Sequence, residues 1–511
     1  MKNYDVLIVG CGPVGGTLAN LLRQKGHEVA IFERDKDVFH APRAMQIDAE
    51  SCRIFQELGV MERLVGKDAR PSDRHIFVDE KRQRLMELRM EGVPQTLGHP
   101  APGMRFHQPA LEKLLREDFE KGVGVDAYLG YEVLEVEGDG PAAKVQARNA
   151  DTGETSEFTG QYLVGSDGGG SLCRKHVGGQ RVDFNYSRRW IVIDIIVHDD
   201  DLWNGLIDRS EFMCRANSAV VFVKGCNNHV RFDFEVTDEV AESFTEQDAR
   251  DLISNYFETS SIEFLRVAPY HFYAGMPDKW RSDRVLVAGD AAHLTSPFSG
   301  QGLNMGIRDA ANLGFKLDLI LKGLVSDKFL DSYQEERWDH CAGLIEGATA
   351  RGLMISRTTF LGKLKRNLSF FIGQNFPKMA LAMTAKMSNM HAYKGGLVGD
   401  HLLSGTQMIQ PFVTNAEGDD VLLDDVIGGN FALISTHIEV GADMDWFKND
   451  LGGKVLVLGD TIEDRDGKLA QYFAENEISS VLIRPDRYLF SAGAEGVTLV
   501  AGLRAGLQVY R

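Results

Sequence analysis

The feature that most constrains this chain is a glycine-rich turn between a short apolar strand and an amphipathic helix. Gly10-Cys11-Gly12-Pro13-Val14-Gly15 follows the apolar run 4–9, and apolar residues then recur at helical spacing up to Leu22. The strand 28–33 completes a βαβ unit of about 30 residues and ends in Glu33, whose carboxylate can accept hydrogen bonds from ribose hydroxyls. Such a turn lets a pyrophosphate approach a helix N-terminus, so the unit predicts dinucleotide binding.

Two further glycine motifs follow strands later in the chain. Gly165-Ser166-Asp167-Gly168 comes after the apolar run 162–164, and Gly289-Asp290 comes after 284–288 and precedes Gly300-Gln301-Gly302. A strand that delivers an aspartate, followed by a glycine turn that opens a helix, offers a carboxylate to a sugar chain. The free N–H groups of such a turn are suited to an electron-rich ring.

Together the three motifs resemble those of the class A flavoprotein monooxygenases, the aromatic-ring hydroxylases typified by p-hydroxybenzoate hydroxylase and phenol hydroxylase. They stand in the order and spacing of that family over about residues 1–350, and Ala41-Pro42-Arg43-Ala44 and 296–302 add a likeness to the 3-(3-hydroxyphenyl)propionate hydroxylase branch. The resemblance implies an α/β fold with a Rossmann-like FAD-binding domain and an inserted antiparallel-sheet substrate domain, like p-hydroxybenzoate hydroxylase. It also implies a C-terminal thioredoxin-like domain.

Changes in the sequence pattern suggest where these domains begin and end. Strict alternation of apolar and polar residues in 230–236 indicates an antiparallel sheet with one covered face, and 191–197, 219–223 and 264–273 are further candidate strands. The predicted division is an FAD-binding domain in 1–75, 102–180 and 283–350, a substrate-binding sheet domain in 76–101 and 181–282, a helical connector in 351–394, and a thioredoxin-like domain without Cys-x-x-Cys in 395–511.

The resemblance implies a set of residues at the FAD. These are Gly10, Gly12, Pro13, Val14, Gly15, Glu33, Arg34, Arg43, Gln108, Val133, Asp167, Asp290, Pro297, Gly302, Leu303 and Asn304. Among them, Asp290 is expected to hold the ribityl hydroxyls, and Pro297 is expected to place a backbone carbonyl at the reactive flavin centre. Asp167, with Gly168 and Arg174, is expected to serve either FAD or the nicotinamide cofactor, and the choice between NADPH and NADH stays open.

The catalytic candidates are Tyr270, Pro297 and Asp48, and no metal site is predicted. Tyr270 either orients and helps to deprotonate a phenol, or is a half-buried residue of its predicted strand. With either role, strand alternation points His271 and Tyr273 to the opposite face. Asp48 lies either on the substrate side of the flavin or at the N-cap of a helix over 49–57.

The reaction that the resemblance implies uses NAD(P)H and O2. Hydride reduces FAD, oxygen adds to form a flavin hydroperoxide, and its distal OH attacks a phenolic ring as an electrophile. The expected substrate is a small aromatic compound such as a hydroxyphenylpropionate. The alternatives are a polyketide-tailoring epoxidase or Baeyer–Villiger oxygenase, a flavoprotein that reduces isoprenoids, and a non-catalytic FAD-binding protein.

Composition restricts the partners and the compartment. The 56 basic and 74 acidic residues leave a net charge of −18, which repels nucleic acid and anionic membranes. Six scattered cysteines form no Cys-x-x-Cys pair, so we expect a cytoplasmic protein, and the family likeness suggests a homodimer. The stretch 348–399 has basic residues but no acidic ones, which predicts either a helical layer packed on the body or a partner, or a membrane-surface helix.

Overall fold

The structure, a computed structural model, describes residues 2–72, 74–89, 103–121, 124–206, 208–215, 218–356, 359–376 and 392–511. Part of the predicted sheet domain (90–102) and parts of the basic stretch (357–358 and 377–391) lie outside the described residues. Within the described part of the chain, no helix is long and apolar enough to span a bilayer.

The N-terminal part of the chain contributes most strands of an eight-stranded sheet. Its elements are β1 (Asn3–Val9), α1 (Pro13–Gln24), β2 (Val29–Glu33), β3 (Gln46–Asp48), α2 (Ala49–Glu57), α3 (Met61–Leu64), β4 (Ala69–Pro71), β5 (Arg74–Val78), β6 (Arg84–Arg89), β7 (Gly103–Phe106), α4 (Gln108–Glu120), β8 (Val125–Leu129), β9 (Tyr131–Glu137), β10 (Ala143–Asn149), β11 (Thr155–Gly165) and α5 (Leu172–Val177). In this sheet β11, β1, β2 and β8 run parallel, and the predicted βαβ unit is confirmed as β1, α1 and β2.

The middle of the chain builds a seven-stranded sheet. This part of the chain contains β12 (Arg181–Val197), α6 (Asp200–Gly205), β13 (Ser210–Met213), β14 (Val220–Lys224), β15 (His229–Val236), α7 (Asp238–Ser243), α8 (Glu246–Ser254), β16 (Ile262–Pro277) and β17 (Arg281–Ser282). Of these, β17 belongs to the eight-stranded sheet. The strand order is β16-β12-β15-β14-β13-β5-β6, and every pairing is antiparallel except β13 with β5. The four predicted strands are all present in it.

The prediction that only one face of this sheet is covered is wrong at β15. Phe232 packs in an apolar cluster on one face, but the polar residues Arg231, Asp233 and Glu235 on the other face are buried as well. Alternation therefore separates an apolar face from a charged face, and the charged face is also buried because loops from the N-terminal part of the chain cover it.

Three long helices follow. The elements are β18 (Val285–Val287), which pairs in parallel with β11, then α9 (Gln301–Leu321), α10 (Asp331–Ile355) and α11 (Phe360–Asn375). Two short 3-10 turns, Gly289–Ala291 and Pro297–Ser299, lie between β18 and α9.

Helix α11 is the described part of the basic stretch. It packs against β6 and the sheet edge, where the ring of Phe370 lies 4.9 Å from that of Phe77 and Lys363 pairs with Glu80 at 2.9 Å. This packing supports the helical-layer alternative for α11, although its outer face leaves Phe360, Leu361, Leu364, Leu368 and Phe371 exposed.

The C-terminal part of the chain forms a separate four-stranded sheet. Its elements are β19 (Phe412–Thr414), β20 (Asp420–Leu422), α12 (Leu423–Ile427), β21 (Ala432–Ser435), α13 (Ala442–Asn449), β22 (Lys454–Val457), α14 (Lys468–Glu475), β23 (Ser480–Ile483), β24 (Leu489–Gly493) and α15 (Gly496–Gln508). The order is β22-β21-β23-β24, with β21 and β22 parallel and the other pairs antiparallel.

Buried ion pairs join this C-terminal part to the long helices. Glu336 of α10 accepts hydrogen bonds from Arg484 at 2.7 Å and from Asn312 at 2.7 Å, and lies 3.0 Å from the ammonium of Lys316. The side chains of Lys316, Glu336 and Arg484 are fully buried. Breaking one member of such a cluster leaves uncompensated charge in the interior.

Candidate active site

The glycine turn before α1 is shaped by contacts that leave no room for side chains at two positions. A Cβ at Gly15 would lie 2.0 Å from the carbonyl oxygen of Gly10, and Gly10 itself has a φ of +98°. A Cβ at Gly12, in contrast, would meet no protein atom within 4 Å. The open space of the turn is therefore beside Gly12.

The N-terminus of α1 faces that space without a protein partner of its own. Within the described chain, its N-cap Gly12 makes no side-chain capping bond, and the first turn, which starts with Pro13, carries no acidic residue. Free N–H groups and the positive end of the helix dipole are therefore available to an anion. Val14 turns its side chain away and packs beside Gly289 and Gly306, which locks the turn to α9.

Glu33 lies at the end of β2, beside the turn. One of its carboxylate oxygens accepts the N–H of Cys11 at 2.8 Å and the other accepts the N–H of Asp35 at 3.2 Å. Arg34 is exposed, with its guanidinium 3.4 Å from the carboxylate of Asp35. Val133 of β9 packs against the apolar core that this sheet forms.

A polar stripe on α4 supports both the turn and the loop at 43–44. Gln108 accepts the N–H groups of Arg43 at 2.9 Å and of Ala44 at 2.6 Å, and it donates to Glu112 at 2.7 Å. Arg116 donates to the carbonyl of Cys11 at 2.8 Å. The prediction included Gln108 but missed the other two, although polar residues at i, i+4 and i+8 of an otherwise apolar helix face were a readable signal.

Asp167 and Arg174 hold the second glycine motif. Asp167 accepts the N–H of Leu172 at 2.7 Å and the hydroxyl of Ser171 at 2.5 Å, so both its oxygens serve the start of α5. Arg174 donates to the carbonyl of Ala291 at 3.0 Å and thereby ties this motif to the third one. These contacts give both residues a structural task, and their role toward either cofactor stays a prediction.

Asp290 lies in the turn between β18 and α9, at the point where a strand end meets a helix start. Solvent reaches its side chain, yet the surrounding protein desolvates the carboxyl and raises its pKa. A Cβ at Gly302, in the first turn of α9, would lie 3.9 Å from the carboxylate. No described residue donates a hydrogen bond to this carboxylate, so its acceptors are available to a ligand.

The N-terminus of α9 is a second uncapped helix start. Gly300 has a φ of +59°, donates to the carbonyl of Pro297 at 3.2 Å and has no capping side chain within the described chain. The side chain of Asn304 is buried, donates to the carbonyl of Gly300 at 2.7 Å and accepts the N–H of Asp48 at 3.0 Å. It therefore holds the loop in place, while Gly302 and Leu303 leave their backbone groups for a ligand.

Asp48 caps α2, as one of the two alternatives predicted. One carboxylate oxygen accepts the N–H of Ser51 at 2.9 Å, and the other pairs with Arg308 of α9. Arg308 also binds Glu50, which accepts the hydroxyl of Tyr488 at 2.9 Å from the C-terminal part of the chain. With both oxygens engaged, Asp48 has a structural task, and a catalytic role has no support from these contacts.

The buried charged face of the seven-stranded sheet lies opposite these turns. Trp190 of β12 contacts Phe298 in the 297–299 turn, with ring centroids 5.3 Å apart. Arg231 of β15 donates to the carbonyl of Arg43 at 2.7 Å, and Arg266 of β16 donates to that of Pro42 at 2.8 Å. The sheet therefore closes over the region between the loop at 42–44 and the start of α9.

Tyr270 belongs to this inner face. Its hydroxyl accepts a hydrogen bond from Arg266 at 3.1 Å, and its ring stacks on that of Phe272 with centroids 5.8 Å apart. His271 and Tyr273 pair on the opposite face, as strand alternation predicts. The structure thus brings Tyr270 to the side of the sheet that contacts the loop at 42–43 and the 297–299 turn.

These groups suit a dinucleotide with a sugar chain and an aromatic ring. Two free helix N-termini favour phosphate and an electron-rich ring edge, and Glu33 and Asp290 provide acceptors for hydroxyls. Arg116 adds a buried Nη1 that has no hydrogen-bond partner in the described chain. A protein-family model described as an FAD binding domain matches residues 3–348. The chain belongs to the FAD-binding family of flavoprotein hydroxylases.

Similar proteins match this chain over nearly its whole length. A probable NADH-specific resorcinol 4-hydroxylase of Rhodococcus jostii (strain RHA1) is 31% identical, with 98% of this chain and 94% of the relative covered. A 3-(3-hydroxy-phenyl)propionate/3-hydroxycinnamic acid hydroxylase of Escherichia coli O139:H28 is 29% identical over 95% of this chain and 91% of the relative. Residues 405–503 match a model described as an HcaD C-terminal domain.

Solved structures share the fold. The flavin-dependent monooxygenase PieE, in complex with FAD and substrate, superposes with a TM-score of 0.80 at 20% identity and covers 99% of both chains. The ternary complex of aklavinone-11 hydroxylase gives a TM-score of 0.78 at 20% identity with the same coverage. Family and relatives together make this protein an FAD-dependent, NAD(P)H-using monooxygenase of the class A aromatic hydroxylases.

Replacement of Asp290 by alanine is expected to weaken FAD binding without unfolding the protein. The carboxylate has no hydrogen-bond donor to lose among the described residues, so the change removes acceptors that face the ligand. FAD content after purification, and the FAD concentration needed to restore absorbance, measure the effect. Asp339→Ala, which removes an exposed carboxylate from α10, is the matched control, and equal FAD affinity of both variants would contradict the placement of Asp290.

Proposed function

We propose that the protein uses NAD(P)H and O2 to hydroxylate a phenolic compound of the 3-hydroxyphenylpropionate kind. The observation that carries the proposal is the inner face of the seven-stranded sheet, where Tyr270 stacks on Phe272 and lies across from Trp190, which contacts Phe298 just before α9. The names of the two relatives, a 3-(3-hydroxy-phenyl)propionate/3-hydroxycinnamic acid hydroxylase and a resorcinol 4-hydroxylase, support a phenolic ring.

The residues proposed to hold FAD come from all three glycine motifs. Backbone N–H groups at Gly12 to Gly15 and the guanidinium of Arg116 are placed for the pyrophosphate, Glu33 for the adenosine ribose and Asp290 for the ribityl chain. Gly302, Leu303 and Asn304 are placed to offer backbone groups to the flavin edge. When bound, FAD supplies the hydride-accepting and oxygen-activating chemistry of the reaction.

The protein contributes orientation, proton handling and exclusion of water. Arg231 and Arg266 hold the loop at 42–43 against the sheet, and Phe298 seals the other side against Trp190. A phenol bound between these two contacts is enclosed by side chains rather than by solvent, which protects a reactive oxygenating step.

We also propose the following organisation of the chain. The eight-stranded sheet with α9 and α10 forms the FAD-binding domain, and the seven-stranded sheet binds the substrate. Helix α11 belongs to a helical connector, and the C-terminal part is a thioredoxin-like scaffold. The strand order β22-β21-β23-β24 supports this last assignment, and the part has no cysteine, so it acts by packing rather than by dithiol chemistry. A homodimer is proposed on family likeness.

The function is tested by NAD(P)H oxidation and O2 uptake across a panel of phenols that includes 3-(3-hydroxyphenyl)propionate and resorcinol. One phenol is expected to stimulate both rates and to yield a product that is heavier by one oxygen atom. NAD(P)H oxidation that no aromatic compound stimulates would contradict the proposal and would favour a polyketide or isoprenoid substrate. The same assay with NADH and NADPH identifies the preferred reductant.

Tyr270→Phe is expected to slow hydroxylation while FAD binding is retained. The change removes one hydroxyl that is placed to contact a phenol, and one hydrogen bond contributes about 0.5–1.5 kcal/mol, so kcat/KM should fall by up to about tenfold. Tyr273→Phe removes the same atom from the opposite face of β16 and is expected to leave kcat/KM unchanged. Equal kinetics of the two variants would remove Tyr270 from the site.

A further inference from the structure

The middle of the inner sheet face carries a carboxylate that the site described above does not use. Asp233 of β15 is 8% exposed, and its Oδ1 is buried without a hydrogen-bond partner in the described part of the chain. An isolated buried carboxylate is costly, so its presence calls for a ligand or a proton-transfer task.

The register of the strands shows what surrounds this residue. Asp233 lies directly opposite Val192 of β12 and Val221 of β14, and Val192 in turn faces Ala268 of β16. From β16 to β14 this row therefore consists of one acid among small apolar side chains, and beyond β14 it continues to Phe212 of β13. Because the small side chains are shorter than those of the neighbouring rows, they leave space in which a planar ring can pack against the sheet.

The neighbouring row is charged but already paired. Asp194 accepts hydrogen bonds from Arg231 at 2.8 Å, Arg266 at 2.7 Å and His229 at 2.7 Å. The remaining guanidinium nitrogens bind the carbonyls of residues 42–43 and the hydroxyl of Tyr270. Every nitrogen of the two arginines thus has a partner other than Asp233.

The carboxylate in the row on the other side is also paired. Glu235 accepts the hydroxyl of Ser356 at 2.6 Å and pairs with Arg188 at 3.4 Å, while Trp190 and Tyr270 stand opposite each other. The arginines in the row of Asp194 contact the loop at 42–43, and Trp190 in the row of Glu235 contacts Phe298. The row of Asp233 lies between these two rows, so it faces the gap between the two loops proposed to contact the flavin.

We propose that Asp233 is a catalytic base that accepts the proton of the phenolic substrate. The O–H bond of the phenol breaks, the proton moves to a carboxylate oxygen of Asp233, and the electron pair left on the phenolate makes the ring carbons more nucleophilic. After oxygen is added, the ring carbon loses its proton to solvent as aromaticity returns, and Asp233 gives its proton back to the product oxygen. The assignment rests on the proposed function, since it needs a phenol.

The electrostatics of the site agree with this role. Burial raises the pKa of Asp233 to about 6 and outweighs the opposing effect of Arg231, while Asp194 adds to the rise and Arg266 reduces it. The charged or titratable groups on this face are His229, Arg231 and Glu235 on its own strand, Arg188 and Asp194 on β12, and Arg266 and Tyr270 on β16, whereas β14 contributes valines. A carboxyl of this pKa is ionised at neutral pH and able to take up a proton there.

The test compares Asp233→Asn, Asp233→Glu and Glu235→Gln with the wild type over pH 5 to 9, using the phenol that the panel identifies. For the wild type, kcat/KM should fall as the pH drops through about 6. Asp233→Asn should lower it about 10²-fold at pH 8 and abolish that acid limb. Glu235→Gln, the matched control from the same face, should keep both rate and profile, and Asp233→Glu should keep the acid limb.

Two further readouts separate catalysis from structure. The ultraviolet difference spectrum of the bound phenol should show the phenolate in the wild type but not in Asp233→Asn. Because the folded-state pKa is raised, the ionised carboxylate destabilises the native state above about pH 6, so Asp233→Asn should unfold at a higher temperature than the wild type at pH 8 and at the same temperature near pH 4. A lower unfolding temperature would indicate a structural partner of Arg231 and overturn the assignment.

The outcomes distinguish the two proposals. If no phenol stimulates the wild type, the proposed function fails and Asp233 has no proton to accept. If the wild type responds but Asp233→Asn keeps its rate, acid limb and phenolate spectrum, or if Asp233→Glu is no better than Asp233→Asn, only the assignment of Asp233 is overturned.

Discussion

Gly12→Val is expected to yield a folded protein that contains no FAD. The Cβ of a residue at this position meets no protein atom within 4 Å, and the backbone there has an extended φ of −76° that valine adopts without strain. The new methyl groups would instead fill the space in front of the α1 N-terminus, where the pyrophosphate is expected to bind. The flavin-to-protein absorbance ratio and the circular dichroism spectrum measure the two halves of this prediction.

Two other glycines provide the comparison. Gly205→Val, at the end of α6, makes the same change where a Cβ also meets nothing and should keep full FAD content. At Gly15 a Cβ would lie 2.0 Å from the carbonyl of Gly10, so Gly15→Ala should disturb the turn itself and lower the unfolding temperature as well. Full FAD occupancy in Gly12→Val would show that this turn does not hold the cofactor.

Glu336→Gln is expected to destabilise the whole chain rather than the C-terminal part alone. Lys316 from α9 and Arg484 from the C-terminal part both depend on this carboxylate, and all three side chains are fully buried. Removing one partner of a buried ion pair costs about 3–5 kcal/mol, because the remaining charges stay uncompensated. Thermal or urea unfolding should show a large loss, together with exposure of the interface to proteolysis.

Position and pH provide controls for this second prediction. Glu335→Gln changes the adjacent, exposed residue and should have almost no effect on the free energy of unfolding. Arg484 and Lys316 outweigh the effect of burial and lower the pKa of Glu336 from 4.5 to about 2. The wild type should therefore lose this contribution as the pH falls from about 4.5 to 2, and Glu336→Gln should lack that part of the acid dependence. Equal stability of the two glutamine variants would contradict the role of the cluster.

Local signals predicted much of the cofactor side of the site. The βαβ unit, the helix over 49–57 with Asp48 at its N-cap and the alternation around Tyr270 all depend on residues close together in the chain. Their geometry follows from periods of 3.6 and 2 residues and from turn glycines, which act over a few residues. Such features need no knowledge of what packs against them.

The contacts between distant segments were not predictable in this way. Gln108 supports the loop at 43–44, Arg116 supports the first glycine turn, and Asp167 is engaged by α5 instead of facing open space. Likewise, alternation in β15 indicated one covered face, whereas both faces are buried. A polar residue in a strand pattern carries the same signal whether water or another domain covers it.

The sequence by itself determined the family, the cofactor and the order of the elements, because glycine turns, strand ends and helix starts encode them locally. Only the tertiary structure decided which charges remain unpaired. Arg231, Arg266 and Asp233 look alike in the sequence as alternating polar residues, yet the arginines are saturated by Asp194 and the loop at 42–43, and Asp233 is left with a free oxygen. Pairing depends on the register between strands that are far apart in the chain, and a single sequence does not specify that register.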